Sequence, residues 1–298
     1  MLEGILVEGL IYGIMVLGVF ISFRILDFPD LTVDGSFPLG AAIMAACLVQ
    51  GVPPWLALIL AFAGGTAAGV VTAVIHNHLK VPNLLAGILT MTMLYSINIR
   101  VMGGKSNLPL LRTETILTKV SGLAEKTGFS PDWAVLIYVA VFALAIKFLL
   151  DLFFHTDLGL TLGALGSNEQ MVITQGVNPR VLKVIGVALS NGLVGLSGAF
   201  AAQYLGFANV DLGQGIVVSG LASVMIGEFL IKSNRIGLLT LRVILGSILF
   251  KALMYLARFY GYAIKMTPND LKLITGLLII LALIFTQVRI PGKARRAR

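Results

Sequence analysis

Cysteine, histidine and charge are the scarce commodities of this chain. Its 298 residues contain one Cys and three His, and only 12% are Asp, Glu, Lys or Arg. The lone Cys47 excludes an internal disulfide framework or a Cys-based metal site, and it sits among Ala45 and Ala46 as a small apolar residue. His76, His78 and His155 are read as solvated loop residues, without zincin spacing. No G-x-x-x-x-G-K-[ST] loop, Gly-x-Ser-x-Gly elbow or HExxH occurs, so neither nucleotide hydrolysis nor a hydrolase site is assigned to the chain. A soluble domain carries about twice this share of charge.

What fills the chain instead is apolar: 57% of residues are hydrophobic. Windows at 4–23, 36–50, 55–75, 82–99, 133–154, 184–205, 213–230, 237–256 and 271–288 approach the roughly 20 residues that cross a bilayer. The expectation is an all-α polytopic membrane protein with about eight to ten transmembrane or broken helices. Glu3 and Glu8 stand where a signal peptide needs basic residues, so the first segment reads as a retained helix. The net charge of +8 lies mainly in short loops and in the tail 289–298, which is topology information, not a nucleic-acid signature. Arg24, Lys80, Lys232, Arg235 and the tail fall on one side under the positive-inside rule, with the N-terminus opposite; Lys105, Arg112, Lys119 and Lys126 run against it.

Glycines fall where helices would touch: Gly9 with Gly13, and Gly65 with Gly69, form GxxxG spacings, and Gly192, Gly195 and Gly198 recur in the sixth window. Two stretches resemble each other, Ile25–Met44 after the first helix and Gly206–Met225 after the sixth. Each places an aromatic, a polar break, an acidic residue and a Gly turn before a short apolar helix. With the breaks on opposite sides they predict two inverted half-repeats, about 4–132 and 184–288, with a path at their interface.

Asp27, Asp30 and Asp34 lack the pattern of a calcium loop, so the expectation is that Asp34 or Ser36 caps the short second helix and Pro29 breaks the chain. Thr90, Thr92, Ser96 and Asn98 are read as a polar stripe serving either interhelical hydrogen bonds or a wet path. Glu8, Asn191 and Glu228 lie in or at the ends of apolar segments; Glu8 is expected near the outer interface, and Glu228 beside Lys232 and Arg235.

The longest polar interval is His155–Lys183. Its Leu, Met and Val residues among Asn168, Glu169, Gln170 and Gln175 predict a short helix with one sticky face. Asn168 caps it, Glu169 complements its dipole, Gly176 ends it, and Pro179 begins the next helix.

The run LGALGSNEQMVITQGVNPRVLK resembles the cytoplasmic coupling segment of ABC-importer permeases of the branched-chain amino acid type. The stretches DFPDLTVDGS and NLLAGILTMTMLYSINIRVMGGKSNLPLL resemble the broken helix and the Ile-x-Asn helix of that family. Many relatives read more like Asn-Phe-Ala-His-Gly at the break; the form here resembles that of a subgroup of tryptophan/tyrosine transport permeases.

The resemblance implies a permease pair, either two copies or a copy and a paralogue, surrounded by lipid in a bacterial inner membrane with the C-terminus cytoplasmic. It implies separate ATPase subunits that bind ATP and Mg, no cofactor on this chain, and a periplasmic or lipid-anchored substrate-binding protein. ATPase coupling would fall to Gly163, Ala164, Gly166, Ser167, Asn168, Glu169, Gln170, Met171, Gly176 and Asn178. The path would involve Phe28, Thr32, Asp34, Ser36, Thr90, Thr92, Ser96, Asn98, Phe207 and Asn209. The cargo expected is a branched-chain or aromatic amino acid. A sugar or nucleoside permease, a self-contained secondary transporter and an intramembrane enzyme are the alternatives.

Overall fold

The computed structural model describes residues 2–111, 113–233 and 235–263, with Leu273, Gly276, Leu277 and Ile280 singly. The first eight apolar windows each become a helix. Helix α1 (Leu2–Val19) continues as a π-helix over Phe20–Ile25, and after a non-helical stretch come α2 (Val33–Val49), α3 (Pro54–Leu79) and α4 (Asn83–Val101). Strand β1 (Asn107–Pro109) precedes α5 (Ile116–Lys126), α6 (Pro131–Phe154), α7 (Asp157–Ser167) and α8 (Glu169–Thr174). Then follow α9 (Pro179–Leu205), strand β2 (Phe207–Asn209), a 3-10 turn over Val210–Gly213, α10 (Ile216–Leu230) and α11 (Ile236–Ala263). Seven helical spans among the described residues are long and apolar enough to cross a membrane, and α2 is a shorter apolar helix. The expected ninth window, 271–288, and the basic tail, 289–298, lie outside the described residues.

Local chemistry sets the helix boundaries. Pro54, Pro131 and Pro179 each occupy a first turn, where the absent N–H costs no hydrogen bond. Helix α9 stops at Gly206 with φ +76°.

Helix α9 is the axis of the bundle, and α1, α2 and α3 pack around it. In lipid, helices gain no hydrophobic drive from touching, so backbone proximity and dispersion hold them. The Gly65/Gly69 pair works this way: a Cβ on Gly65 would strike the Asn191 carbonyl, and one on Gly69 the Val187 carbonyl. Gly9 and Gly13 likewise lie against Ile248 and Ile244 of α11.

Helices α1 and α9 run antiparallel: Ser197 Oγ donates to the Ile11 carbonyl and Ser190 Oγ to that of Gly18, both at 2.7 Å. The breaks that follow them therefore begin at opposite ends of the bundle. The first, residues 26–32, turns at Asp27 (φ +51°) beside α7. The second, residues 206–215, joins the antiparallel ribbon in which β2 pairs with β1.

Three elements go beyond the sequence expectation. Strand β1 of the ribbon and α5 fill the interval between the fourth and fifth windows, with Thr115 and Thr118 forming a reciprocal capping box for α5. The single coupling helix is two helices, because Thr156 caps an earlier one, α7, and Asn168 separates it from α8 in extended conformation.

Candidate functional site

Beneath the first break lies a chain of polar side chains removed from solvent. Asp30, Thr32, Ser36, Thr72 and Asn191 are all fully buried. Asn191 Nδ2 donates to Asp30 Oδ2 at 2.6 Å and to the Val187 carbonyl at 3.0 Å, while Ser36 Oγ donates to Asn191 Oδ1 at 2.7 Å. Asp30 Oδ1 accepts the Thr32 N–H at 2.8 Å, and the Thr32 and Thr72 hydroxyls are 2.7 Å apart. Each group is satisfied by a neighbour, the condition under which a buried polar network specifies one arrangement instead of costing stability. Phe28 closes it from the side, buried and edge-on to His76 at 5.3 Å.

Asp34 does not cap its own helix. Its carboxylate accepts the N–H groups of Gly215 at 3.1 Å and Val217 at 2.8 Å, at the start of α10. Helix α2 has Thr32 at its N-cap with no side-chain cap, and Ser36 is turned to Asn191, so the expected cap is corrected on both residues. The physical reason is proximity: α10 brings unpaired N–H groups within reach, and its positive end attracts the carboxylate. Pro38 inside α2 cannot bond the Asp34 carbonyl, and Gly213 lies against that carbonyl with no room for a Cβ. The starts of the two half-helices thus meet. Phe207 and Asn209 belong to the ribbon, where Asn209 Oδ1 accepts the Asp211 N–H, and neither reaches the buried network.

The stripe on α4 divides. Thr90 and Asn98 are buried, and Asn98 Nδ2 donates to the Gly35 carbonyl at 3.2 Å; Thr92 and Ser96 are exposed on another face.

At the far end of the bundle from the ribbon, α7 and α8 project an exposed surface. Asn168 Oδ1 caps α8 through the Met171 N–H at 3.1 Å, Gly176 takes φ +80°, and Asn178 caps α9 through the Arg180 N–H. Glu169 pairs with Lys183 at 2.9 Å. Ser167, Gln170 and Met171 face outward, while Val172, Leu162 and Leu165 are buried. Gly163 faces open space with Ala164 half-buried, but Gly166 lies on the Ile25 carbonyl, where a Cβ does not fit. That contact seats α7 on the end of α1, next to the break.

The ionisable residues singled out in the sequence take the following partners. Glu228 pairs with Arg24 at 2.7 Å and Arg242 at 3.1 Å, not with Lys232 or Arg235, because α10 ends between α1 and α11. Glu8 is paired with Lys251 at 3.4 Å. His76 and His78 lie in the last turn of α3, and His155 directly follows α6; each Nδ1 is bonded to a backbone carbonyl. The three aspartates part company, Asp27 exposed, Asp30 buried and Asp34 on α10. Asp151, which accepts from Lys147 and Thr240, was not singled out in the sequence; a carboxylate and a lysine four apart in an apolar helix were the signal.

A helical bundle with two opposed broken helices and a small-helix surface at one end has counterparts of known sequence. A Tyrosine transport system permease protein of Clostridioides difficile (strain R20291) is 40% identical over 294 residues, covering 99% of this chain and 94% of that one. The Ribose import permease protein RbsC of Escherichia coli (strain K12) is 27% identical over 73% of this chain and 67% of its own. Among solved structures, PsaBC from Streptococcus pneumoniae in complex with Fab matches with TM-score 0.53 and 14% identity, over 94% of this chain and 89% of that one, a likeness of fold. The model of the branched-chain amino acid transport system permease component matches residues 1–283, and with that span covered the chain belongs to this family of multi-pass membrane permeases.

Proposed function

We propose that this chain is the membrane subunit of an ATP-driven importer in the bacterial inner membrane, carrying an aromatic amino acid. The observation that carries the cargo is the 40% identity, along nearly the whole chain, to the tyrosine permease protein. In this reading two permease chains surround one path. A periplasmic or lipid-anchored binding protein delivers substrate at the ribbon end, and ATPase subunits holding ATP and Mg dock on α7 and α8, which are cytoplasmic like the C-terminus.

Exposed Met171 and Ile173, with Ser167, Gln170 and the Glu169–Lys183 pair, form the docking face. Asn168, Gly176 and Asn178 set its shape. Gly166 carries its movement to Ile25 and the first break, so ATPase closure acts on the joint between half-repeats 4–132 and 184–288. Phe28, Thr32, Asp34 and Ser36 maintain that joint, while Thr92 and Ser96, outward on α4, face the paired permease and the path. Asn98 holds α4 to α2, while the buried Thr90 hydroxyl bonds the Ala86 carbonyl of its own helix.

The test is co-purification of the tagged chain from mild detergent, wild type against Glu169→Arg with Met171→Asp, followed by ATP-dependent uptake in liposomes. Wild type is expected to retain an ATPase subunit and the double variant to lose it while staying folded. Uptake of an aromatic amino acid by the permease alone, with no ATPase, would falsify the reading. The ribose permease relative supports a second cargo class, separated from the first by which ligand the binding protein holds.

A further inference from the structure

A cavity of about 650 Å³ opens between α1, α10 and α11, within the roughly 300–1,000 Å³ typical of small-molecule sites. It is lined by charges of both signs in a region otherwise made of apolar helix. Lys251 Nζ is 3.4 Å from Glu8 Oε2 and 3.2 Å above the centroid of the Tyr12 ring. Arg258, two turns beyond Lys251 on α11, lines the same cavity. Among the described residues two cations therefore face one carboxylate, and an incoming carboxylate meets a net positive charge.

The neutral groups are as selective. Ser219, Ser223 and Ser247 line the cavity, and each hydroxyl already donates to a backbone carbonyl. What their oxygens offer inward is lone pairs, which accept from an ammonium and give a carboxylate nothing. Met15 and Phe250 supply apolar wall. The cavity also reaches Gly215 and Ile216, where the N–H groups of Gly215 and Val217 are held by Asp34. The positive end of α10 is thus already neutralised, leaving Lys251 and Arg258 as the charged donors for a carboxylate among the described residues.

We infer that this cavity within a single permease chain binds a free α-amino acid with an aromatic side chain, its carboxylate at Lys251 and Arg258 and its ammonium at Glu8 and the serine oxygens. The inference rests on the amino-acid import reading and deepens it: the permease recognises the zwitterion itself, in addition to any delivery by a binding protein. Because the cavity ends on the Asp34 joint, occupancy is felt where the two half-helices meet.

The test uses the purified permease in detergent with no partner, and tritiated L-tyrosine as probe. Saturable binding is expected, displaced by L-tyrosine but poorly by tyramine, which lacks the carboxylate, or by 3-(4-hydroxyphenyl)propionate, which lacks the ammonium. Lys251→Met and Glu8→Gln should each weaken binding by about tenfold or more, with Lys251→Arg restoring most of it. If Lys251→Met does not elute as a folded, monodisperse protein, Ser219→Leu fills the cavity without altering its charges and should abolish binding. Binding indifferent to Glu8→Gln and Ser219→Leu overturns the site. Absence of saturable binding while the assembled transporter moves tyrosine overturns the inference but leaves the import reading standing; failure of the assembled transporter to move any aromatic amino acid overturns both.

Discussion

Asp34 and Gly215 lie 181 positions apart in the chain, yet the carboxylate of the first accepts the N–H of the second at 3.1 Å, so a side chain from one half-helix caps the other. Removing it should loosen the joint between halves. Asp34→Ala is expected to lower stability by about 1–2 kcal/mol, the usual worth of a helix cap, and to uncouple ATP hydrolysis from uptake. Asp34→Asn, which keeps an acceptor oxygen, should retain most stability. Equal loss of melting temperature in both variants would count against the capping role.

The buried Asp30–Asn191 pair makes a sharper prediction. Asn191→Leu leaves the buried Asp30 carboxylate without its side-chain donor and with only the Thr32 N–H, a change expected to cost about 3 kcal/mol or more. Ser36→Ala removes one hydrogen bond from the same network and should cost about 1 kcal/mol. Thermal unfolding in detergent ranks the two, and the reverse order would refute the network as described.

Close helix contact predicts an asymmetry among glycines. Gly69→Val drives a side chain into the Val187 carbonyl and is expected to prevent folding, while Gly163→Ala meets open space and should leave stability unchanged within about 0.5 kcal/mol. Size-exclusion profiles of the two variants decide it.

Gly166→Ala isolates coupling from docking. The added methyl meets the Ile25 carbonyl, whereas Met171 and Ile173 of α8 are exposed to solvent. Co-purification of the ATPase should persist while substrate-stimulated ATP hydrolysis and uptake fall. Loss of ATPase binding itself would show that Gly166 shapes the docking face and not the transmission.

The outward face of α4 can be probed chemically. With Cys47 replaced by Ser, Thr92→Cys and Ser96→Cys are expected to react with a membrane-impermeant maleimide in the assembled transporter, and Asn98→Cys to be protected. Equal protection of all three would place the outward face against lipid or a dry interface.

What could be read in advance was what depends on near neighbours in sequence. Asn168, Gly176, Asn178 and Pro179 were legible because caps and turns involve partners within a few residues. The apolar windows were legible because bilayer thickness fixes their length. Asp34 was misassigned because its partner arrives from a distant helix, and Glu228 likewise met Arg24, 204 positions away. The α4 stripe failed for a geometric reason: residues two apart point about 200° from one another around a helix, so Thr90 and Thr92 could not share a face. Helix α5 and the ribbon were hidden because they are short, and strands this brief carry no periodic signal.

The distance between Asp30 and Asn191 also has a meaning in time. A ribosome adding about 5–20 residues each second takes roughly 10–30 s to make the 161 positions that separate them. During that interval α1, α2 and α3 have left the ribosome carrying a carboxylate, Asp30, whose side-chain donor does not yet exist, and a hydroxyl, Ser36, whose acceptor does not yet exist. Lipid offers those groups nothing. Biogenesis therefore depends on holding the first half at a wet or proteinaceous surface until α9 is delivered, and nascent chains halted before residue 191 should be cleared by membrane proteases while those halted after Gly206 survive.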